Sequence, residues 1–271
     1  MMDSGKIQKI ESVISLMKKK TGINIQNFKP TFLERRINHR MRDLGISDFD
    51  KYVDILLTSV NESENLYDSF SINVTKFFRD PFVWKTFENQ ILPNFYNDSD
   101  FSSIDLWSCG SATGEEVYSI SILLDKHLKK KHMKYNIIGT DINENAIQTA
   151  KQGIYKKEKI SNVNSQELQT YFDVLPDERY KIKSEFKKNI RLERLDLLQT
   201  TGKYFDIIFC RNVLIYYDRQ AHEILFKKFF SLLKKDGILI LGQDESMIGT
   251  NGKNYFNLLY PRERIYQKKK F

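Results

Sequence analysis

The sequence predicts an α/β fold on a mostly parallel sheet, preceded by a small all-helical segment. Three observations carry this. Ile104 to Ser119, IDLWSCGSATGEEVYS, reads as an apolar strand, a turn through Gly110 and Gly114, and an apolar-periodic helix. Four more short apolar runs follow, and each ends in polar residues. They are YNIIG before Thr140-Asp141, Ile190–Leu192 before Asp196, FDIIFC before Arg211-Asn212, and ILILG before Gln243-Asp244-Glu245. Short, nearly all-apolar strands suit parallel sheets covered on both faces. Residues 1 to 72, in contrast, show helical periodicity and no strand signal.

Ile7, Ile10, Val13, Ile14 and Met17 form the first helical stripe. Leu33, Ile37, Met41 and Leu44 form the second, which stops at Gly45. Tyr52, Val53, Leu56 and Leu57 form a third behind Ser47 as a cap, and Leu66 and Phe70 point to a fourth. These give a helical domain over 1–72. Residues 73–81 form a linker whose Asn73, Thr75 and Arg79 alternate with apolar side chains, and Pro81 prevents a helix from running through. The α/β unit then occupies 82–271. Its pattern loosens after Gly153, with a short helix at Ser165–Phe172 and alternation at Tyr180–Phe186, which predicts a small β insertion at about 165–190. Two runs flanking Pro261-Arg262-Glu263 predict a closing hairpin, which must add antiparallel strands at the sheet edge.

The glycine turn has two readings, a cradle for an anionic nucleotide-like ligand or a plain tight turn. Asp141, at the end of the second strand, is placed to accept hydrogen bonds from ribose hydroxyls. Alternatively, Asp141 or Asn143 caps the following helix. Composition narrows the class further. With 271 residues, 41% of them hydrophobic, the chain can bury a substantial core. No apolar run approaches the roughly 18 residues of a membrane span, and the first 20 residues lack a signal-peptide core. Two cysteines, Cys109 and Cys210, fit a reduced cytoplasmic protein, and the four histidines show no metal-ligand spacing. A net charge of +8 favours an acidic partner. On the second helix, Arg35, Arg36, His39, Arg40 and Arg42 lie off the apolar stripe. They form either a solvated face or a dock for an acidic helix or phosphates.

NVTKFFRDP, SCGSATGEEVYS, GTDIN, GIY and FCRNVLIYYD, in this order, resemble the chemotaxis receptor methyltransferases, the CheR family, across nearly the whole chain. The resemblance implies a class I, Rossmann-like methyltransferase with a seven-stranded, mostly parallel sheet. It implies S-adenosylmethionine (SAM) as donor and S-adenosylhomocysteine as product, with no metal. The implied acceptors are glutamates of the cytoplasmic helical domain of chemotaxis receptors, and the product is a methyl ester that adapts signalling. By motif, Asn73, Thr75, Arg79, Gly110, Glu115, Asp141, Asp196, Leu197, Asn212 and Val213 resemble cofactor-contacting residues, with Glu115 preferred to Glu116. Asp196 stands where some relatives carry Asn. Receptor-tail-binding members have a glycine-containing loop in the insertion, whereas YFDVLPDERYKIK has none, so weak or absent tail binding is expected.

A glutamate acceptor is ionised at neutral pH, with a pKa of about 4.3, and so needs no general base. The combination of carboxylate and sulfonium destroys charge. A fully charged clamp on the acceptor would therefore favour the ground state. Asn212, Tyr216 and Tyr217 are the neutral donors expected near the acceptor, and Arg211 is an orienting or structural residue. Arg35, Arg36 and Arg40 are expected to dock the receptor. A monomer is expected, with no nucleic acid partner and no membrane insertion. A nucleic acid methyltransferase would more typically show N/D-P-P-Y/F where this chain reads CRNVLIYY. A non-catalytic SAM-binding adaptor is disfavoured because every proposed cofactor position is retained.

Overall fold

Helix α1 (Ser4–Thr21) turns Ile10, Val13 and Met17 inward at helical spacing. The computed structural model describes residues 4–22, 24–72, 74–96, 102–128, 132–199 and 202–270. Helix α2 (Pro30–Asp43) opens on proline, whose missing N–H costs nothing in the first turn, and buries Phe32, Leu33, Ile37 and Met41. It ends as expected at Gly45, which has φ +68°. Helix α3 (Phe49–Thr58) is capped by Asp48 rather than by Ser47, because the Asp48 carboxylate reaches the Asp50 and Lys51 amides. Ser59 caps α4 (Val60–Asp68) through the Glu62 amide.

The linker leads into α5 (Pro81–Thr86), which continues through a π-helical turn into α6 (Leu92–Tyr96). Strands β1 (Ser103–Cys109), β2 (Lys134–Asp141), β6 (Ile190–Arg194), β7 (Phe205–Cys210) and β8 (Leu233–Leu241) run parallel. The hairpin of β9 (Phe256–Tyr260) and β10 (Ile265–Lys268) completes a seven-stranded sheet, ordered β6-β2-β1-β7-β8-β10-β9. The C-terminal strand β10 inserts between β8 and β9, antiparallel to both. Helices α7 (Glu115–Leu128), α8 (Glu144–Gln152) and α10 (Arg219–Leu232) follow β1, β2 and β7. The chain builds outward from β1 through β2 to β6, then returns to place β7 on the other side of β1. That reversal is the topological switch point where open α/β sheets hold ligands.

A separate antiparallel sheet, ordered β3-β5-β4, contains β3 (Ile154–Tyr155), β4 (Phe172–Val174) and β5 (Tyr180–Ile182), with α9 (Ser165–Tyr171) packed beside it. Its first strand comes from Ile154-Tyr155, upstream of the insertion predicted at about 165–190. Two residues are too short to display alternation. One apolar core runs without a break from Ile10, Leu33 and Leu56 to Trp107, Ile208 and Phe229, so the four N-terminal helices and the sheet share a core. No helix among the described residues is long and apolar enough to cross a membrane.

Candidate active site at the switch point

Two adjoining cavities open past the carboxyl ends of β1, β2 and β7. The inner half is lined by Phe70, Ile72, Asp141, Ile142, Leu197 and Val213, among others. The outer half is lined by Thr75, Arg79, Trp84, Glu116, Arg211 and Ile215. Ile72, Gly110, Ala112, Asn212 and Tyr216 border both, which makes them one cleft.

Gly110, at φ +65°, lets β1 turn into the cleft. A Cβ there would lie 2.4 Å from a Val213 methyl, so no other residue permits this contact between the β1 and β7 ends. Asp141 is almost fully buried and accepts from the Ala112 amide at 2.8 Å and the Asn143 amide at 3.0 Å. Its carboxylate thereby fixes the glycine turn and still borders the inner half. Burial pushes its pKa up, opposed by the hydrogen bonds from Asn143, Ala112 and Ser71. Asn143 is the actual helix cap, accepting from the Ala146 amide. The cap reading therefore falls to Asn143, and Asp141 remains on the cleft wall.

The adjacent glutamates divide differently from the expectation. Glu115 is fully buried outside the cleft lining, accepting from the Thr113 hydroxyl at 2.6 Å with Lys159 Nζ at 3.3 Å. Glu116 borders the outer half, held by the Ser108 hydroxyl at 2.8 Å and Arg211 at 3.2 Å. Consecutive helical residues point about 100° apart, and of the pair only Glu116 lines the cleft. Burial raises the pKa of both acids. For Glu116, Arg211 opposes the shift.

The linker is tied down along its length. Lys159 Nζ donates to the Thr75 carbonyl, the Phe77 amide bonds the Lys159 carbonyl, and the Phe78 amide bonds the Ser119 hydroxyl. Arg79 reaches the Val74 carbonyl, and its own carbonyl accepts from Trp84 and Arg211. Thr75 and Arg79 therefore line the cleft, while Asn73 lies outside the described residues. The Arg211 guanidinium is 1% exposed, pairs with Asp80 at 2.8 Å as well as Glu116, and lies over the Trp84 ring. It is a charge-paired residue in the wall of the outer half.

Asp196 also departs from expectation. Its carboxylate takes the Tyr67 hydroxyl at 3.3 Å and the Leu198 amide at 2.8 Å, and it faces a neighbouring groove with Arg194. Leu195 and Leu197, on either side of it, line the cleft instead. Tyr217 is buried, stacks on Phe28 at 4.6 Å and borders only the inner half, whereas Tyr216 borders both halves. Burial raises the Tyr216 pKa, against the pull of nearby Arg35, Arg79 and Arg36, so its hydroxyl stays protonated at neutral pH.

The basic face of α2 is not uniform either. Arg40 is engaged by Glu62 through two hydrogen bonds of 3.0 and 2.7 Å and by Asp43 at 3.0 Å. This corrects its reading as a docking residue, because its charge is already spent on a buried carboxylate. Arg36 is half-buried against Phe32 and donates to the Ser69 carbonyl, while Arg35, His39 and Arg42 are exposed. Phe28, Phe70, Ser71 and Ile72 were missed as lining residues, since nothing in a helical pattern marks the residues that happen to meet another domain. Among the described residues, no group of three or more His, Cys, Asp or Glu forms a potential metal site.

The model of the CheR methyltransferase SAM-binding domain matches residues 73–261, and that of the CheR methyltransferase all-alpha domain matches 8–71. The chemotaxis protein methyltransferase of Borreliella burgdorferi is 31% identical over 256 residues, covering 91% of this chain and 90% of that protein. The protein of the same name from Escherichia coli is 30% identical, covering 86% and 82%. The cleft at the switch point, the acid at the end of β2 and these matches across both domains agree, and the chain belongs to the CheR family of SAM-dependent methyltransferases.

Proposed function

We propose that this chain transfers the methyl group of SAM to glutamate side chains on the helical cytoplasmic domain of chemotaxis receptors. It acts as a monomer in the cytoplasm without nucleic acid. The observation that carries the reading is the position of Tyr216. It lies at the junction of both cleft halves and close enough to Arg35 and Arg36 of α2 to feel their charge. Cofactor cleft and basic helix thus form one surface, suited to an acidic helix that must present a carboxylate.

The cleft suits SAM in its chemistry. Asp141 would take the ribose, Ile142 and Leu197 the adenine faces, and Glu116, Arg79 and Thr75 the charged amino-acid end, beside Gly110, Asn212 and Val213. Bound SAM supplies a methyl group already activated by its sulfonium. The work left to the protein is alignment and exclusion of water. Tyr216 and Asn212 can donate neutral hydrogen bonds to the incoming carboxylate and hold one oxygen in line. Pairing Arg211 with Asp80 and Glu116 keeps a free cation away from a reaction that consumes charge. Arg35 and Arg36, with Arg42, steer and register the acceptor helix.

The test is incubation with methyl-labelled SAM and receptor-bearing membranes. The label should enter receptor and leave as methanol in base, and Glu→Ala changes at acceptor positions should remove it. Base-stable label, or label in nucleic acid, would overturn the proposal.

A further inference from the structure

Glu245 follows the end of β8 and is 3% exposed. Its Oε2 accepts from the Asn212 amide at 3.0 Å and the Gly242 amide at 2.5 Å. Its Oε1 accepts from the Val213 amide at 2.7 Å and the Leu214 amide at 2.6 Å. Four main-chain N–H groups thus converge on one buried carboxylate, a concave anion nest occupied from within the chain. Three of them belong to the turn after β7. Asn212, the first residue of that turn, has φ +61°, a left-handed conformation that costs a non-glycine residue on the order of 1 kcal/mol.

The β8 end is shaped to bring the carboxylate there. A Cβ on Gly242 would lie 2.6 Å from the Asn212 amide nitrogen and 2.7 Å from Glu245 Oε2, so only glycine permits the approach. On its other side the turn carries Asn212, Val213 and Tyr216 into the cleft, with Val213 against Gly110. Glu245 borders neither half of the cleft. Any influence on the reaction passes through the backbone that it holds.

We infer that Glu245 is a positioning residue. Its carboxylate clamps the Asn212–Val213–Leu214 main chain in the conformation that presents Asn212 and Tyr216 to donor and acceptor. In a Glu245→Gln variant the side-chain amide would have to point an N–H at one or two of the four donors, opening the clamp while conserving volume. The inference rests on the methyl-transfer reading of the cleft.

The experiment compares the full-length wild type with Glu245→Gln, well below the melting temperature. It reads kcat, the KM for receptor, the KM for SAM and the Kd for S-adenosylhomocysteine. The expected result is a kcat/KM for SAM lower by roughly 10- to 100-fold, the scale of a sub-ångström to ångström misplacement, with the receptor KM unchanged. A purely structural role would lower the melting temperature and leave turnover of the folded enzyme intact, and that result overturns the inference. Should Glu245→Gln fail to fold, amide hydrogen exchange on wild type decides. The Asn212, Val213 and Leu214 amides should be protected as strongly as those of β7, and free exchange at them overturns the clamp. If wild type itself does not methylate receptor, the functional reading falls instead. The S-adenosylhomocysteine affinities of wild type and variant then test the clamp separately, with equal affinities counting against it.

Discussion

Arg40→Ala separates a structural arginine from docking arginines on the same helix. The Arg40 guanidinium grips Glu62 through Nε and Nη2, and Glu62, only 4% exposed, also accepts from the Tyr52 hydroxyl at 3.0 Å. Removing one partner of a buried pair costs about 3–5 kcal/mol, because the remaining charge is left without compensation. The Arg40 side chain retains 17% exposure and Tyr52 still serves Glu62, so the low end, about 3 kcal/mol, applies. At about 2–4 °C per kcal/mol for a chain of this order, calorimetry should record a melting temperature lower by about 6–12 °C. Replacing both partners by leucine should recover part of the loss, since no buried charge remains. Arg35→Ala and Arg42→Ala should leave the melt within about 2 °C, as usual for exposed side chains. Together, as charge reversals, they should raise the receptor KM most at low ionic strength. An Arg40→Ala protein that melts like wild type and loses receptor affinity would refute this division of labour.

Three further outcomes test the cofactor half and the insertion. Asp141→Asn should weaken SAM binding by about 1.5–3 kcal/mol in titration calorimetry. Burial raises the Asp141 pKa above the ordinary aspartate value, and binding uses the ionised form, so wild-type affinity should fall as pH drops toward that value; a flat profile to about pH 4, near the ordinary aspartate value, would contradict the assignment. Glu116→Gln should raise the SAM Kd, whereas Glu115→Gln should change chiefly the melt, and the reverse pattern would restore the expectation based on motif alone. A receptor C-terminal pentapeptide should bind weakly or not at all, because the β4–β5 turn, Leu175 to Arg179, contains no glycine; a micromolar Kd would refute this.

The central parallel strands were legible because each contains a short apolar run bounded by polar residues, and β7 is buried at all six positions, whereas β6 at the sheet edge is IRLER and nowhere fully buried. The switch-point cleft followed from the glycine turn and Asp141. What the sequence left hidden depends on direction and distance. Glu115 and Glu116 are alike in composition, and only the helix phase against β1 and β7 sends Glu116 toward Arg211. Arg40 looks like its basic neighbours until Glu62, 22 residues later, is folded against it. Asp196 has an acid's label for a ligand contact, yet the turn over Leu197 and Leu198 rotates its carboxylate to Tyr67. Glu245 was visible only as one of three polar residues after an apolar run, since a carboxylate that accepts from main-chain amides needs no particular partner residue.

The deepest of these hidden relations joins the two halves of the chain. The Asn27 carbonyl accepts from the Asp218 amide and the Lys29 amide donates to the Tyr216 carbonyl, both at 2.9 Å, and Lys29 Nζ reaches the Ile215 carbonyl at 2.8 Å. Phe28 lies between them as a single antiparallel bridge to Tyr217 and stacks on its ring. Each such hydrogen bond contributes only about 0.5–1.5 kcal/mol, but together they fix register. Helix α2 begins at Pro30, just beyond this bridge, and Tyr216 contacts Phe32 at 4.8 Å between ring centres. The helix that presents the basic face and the tyrosine that borders the cleft are therefore held by the same short segment. On the proposed function, a receptor helix docked on Arg35 and Arg36 would be referenced to Tyr216 without passing through the SAM-binding sheet. Acceptor alignment would then be set across the junction between the helical domain and the sheet, and a catalytic domain lacking residues 24–32 should keep the cofactor turn while losing methylation of the acceptor.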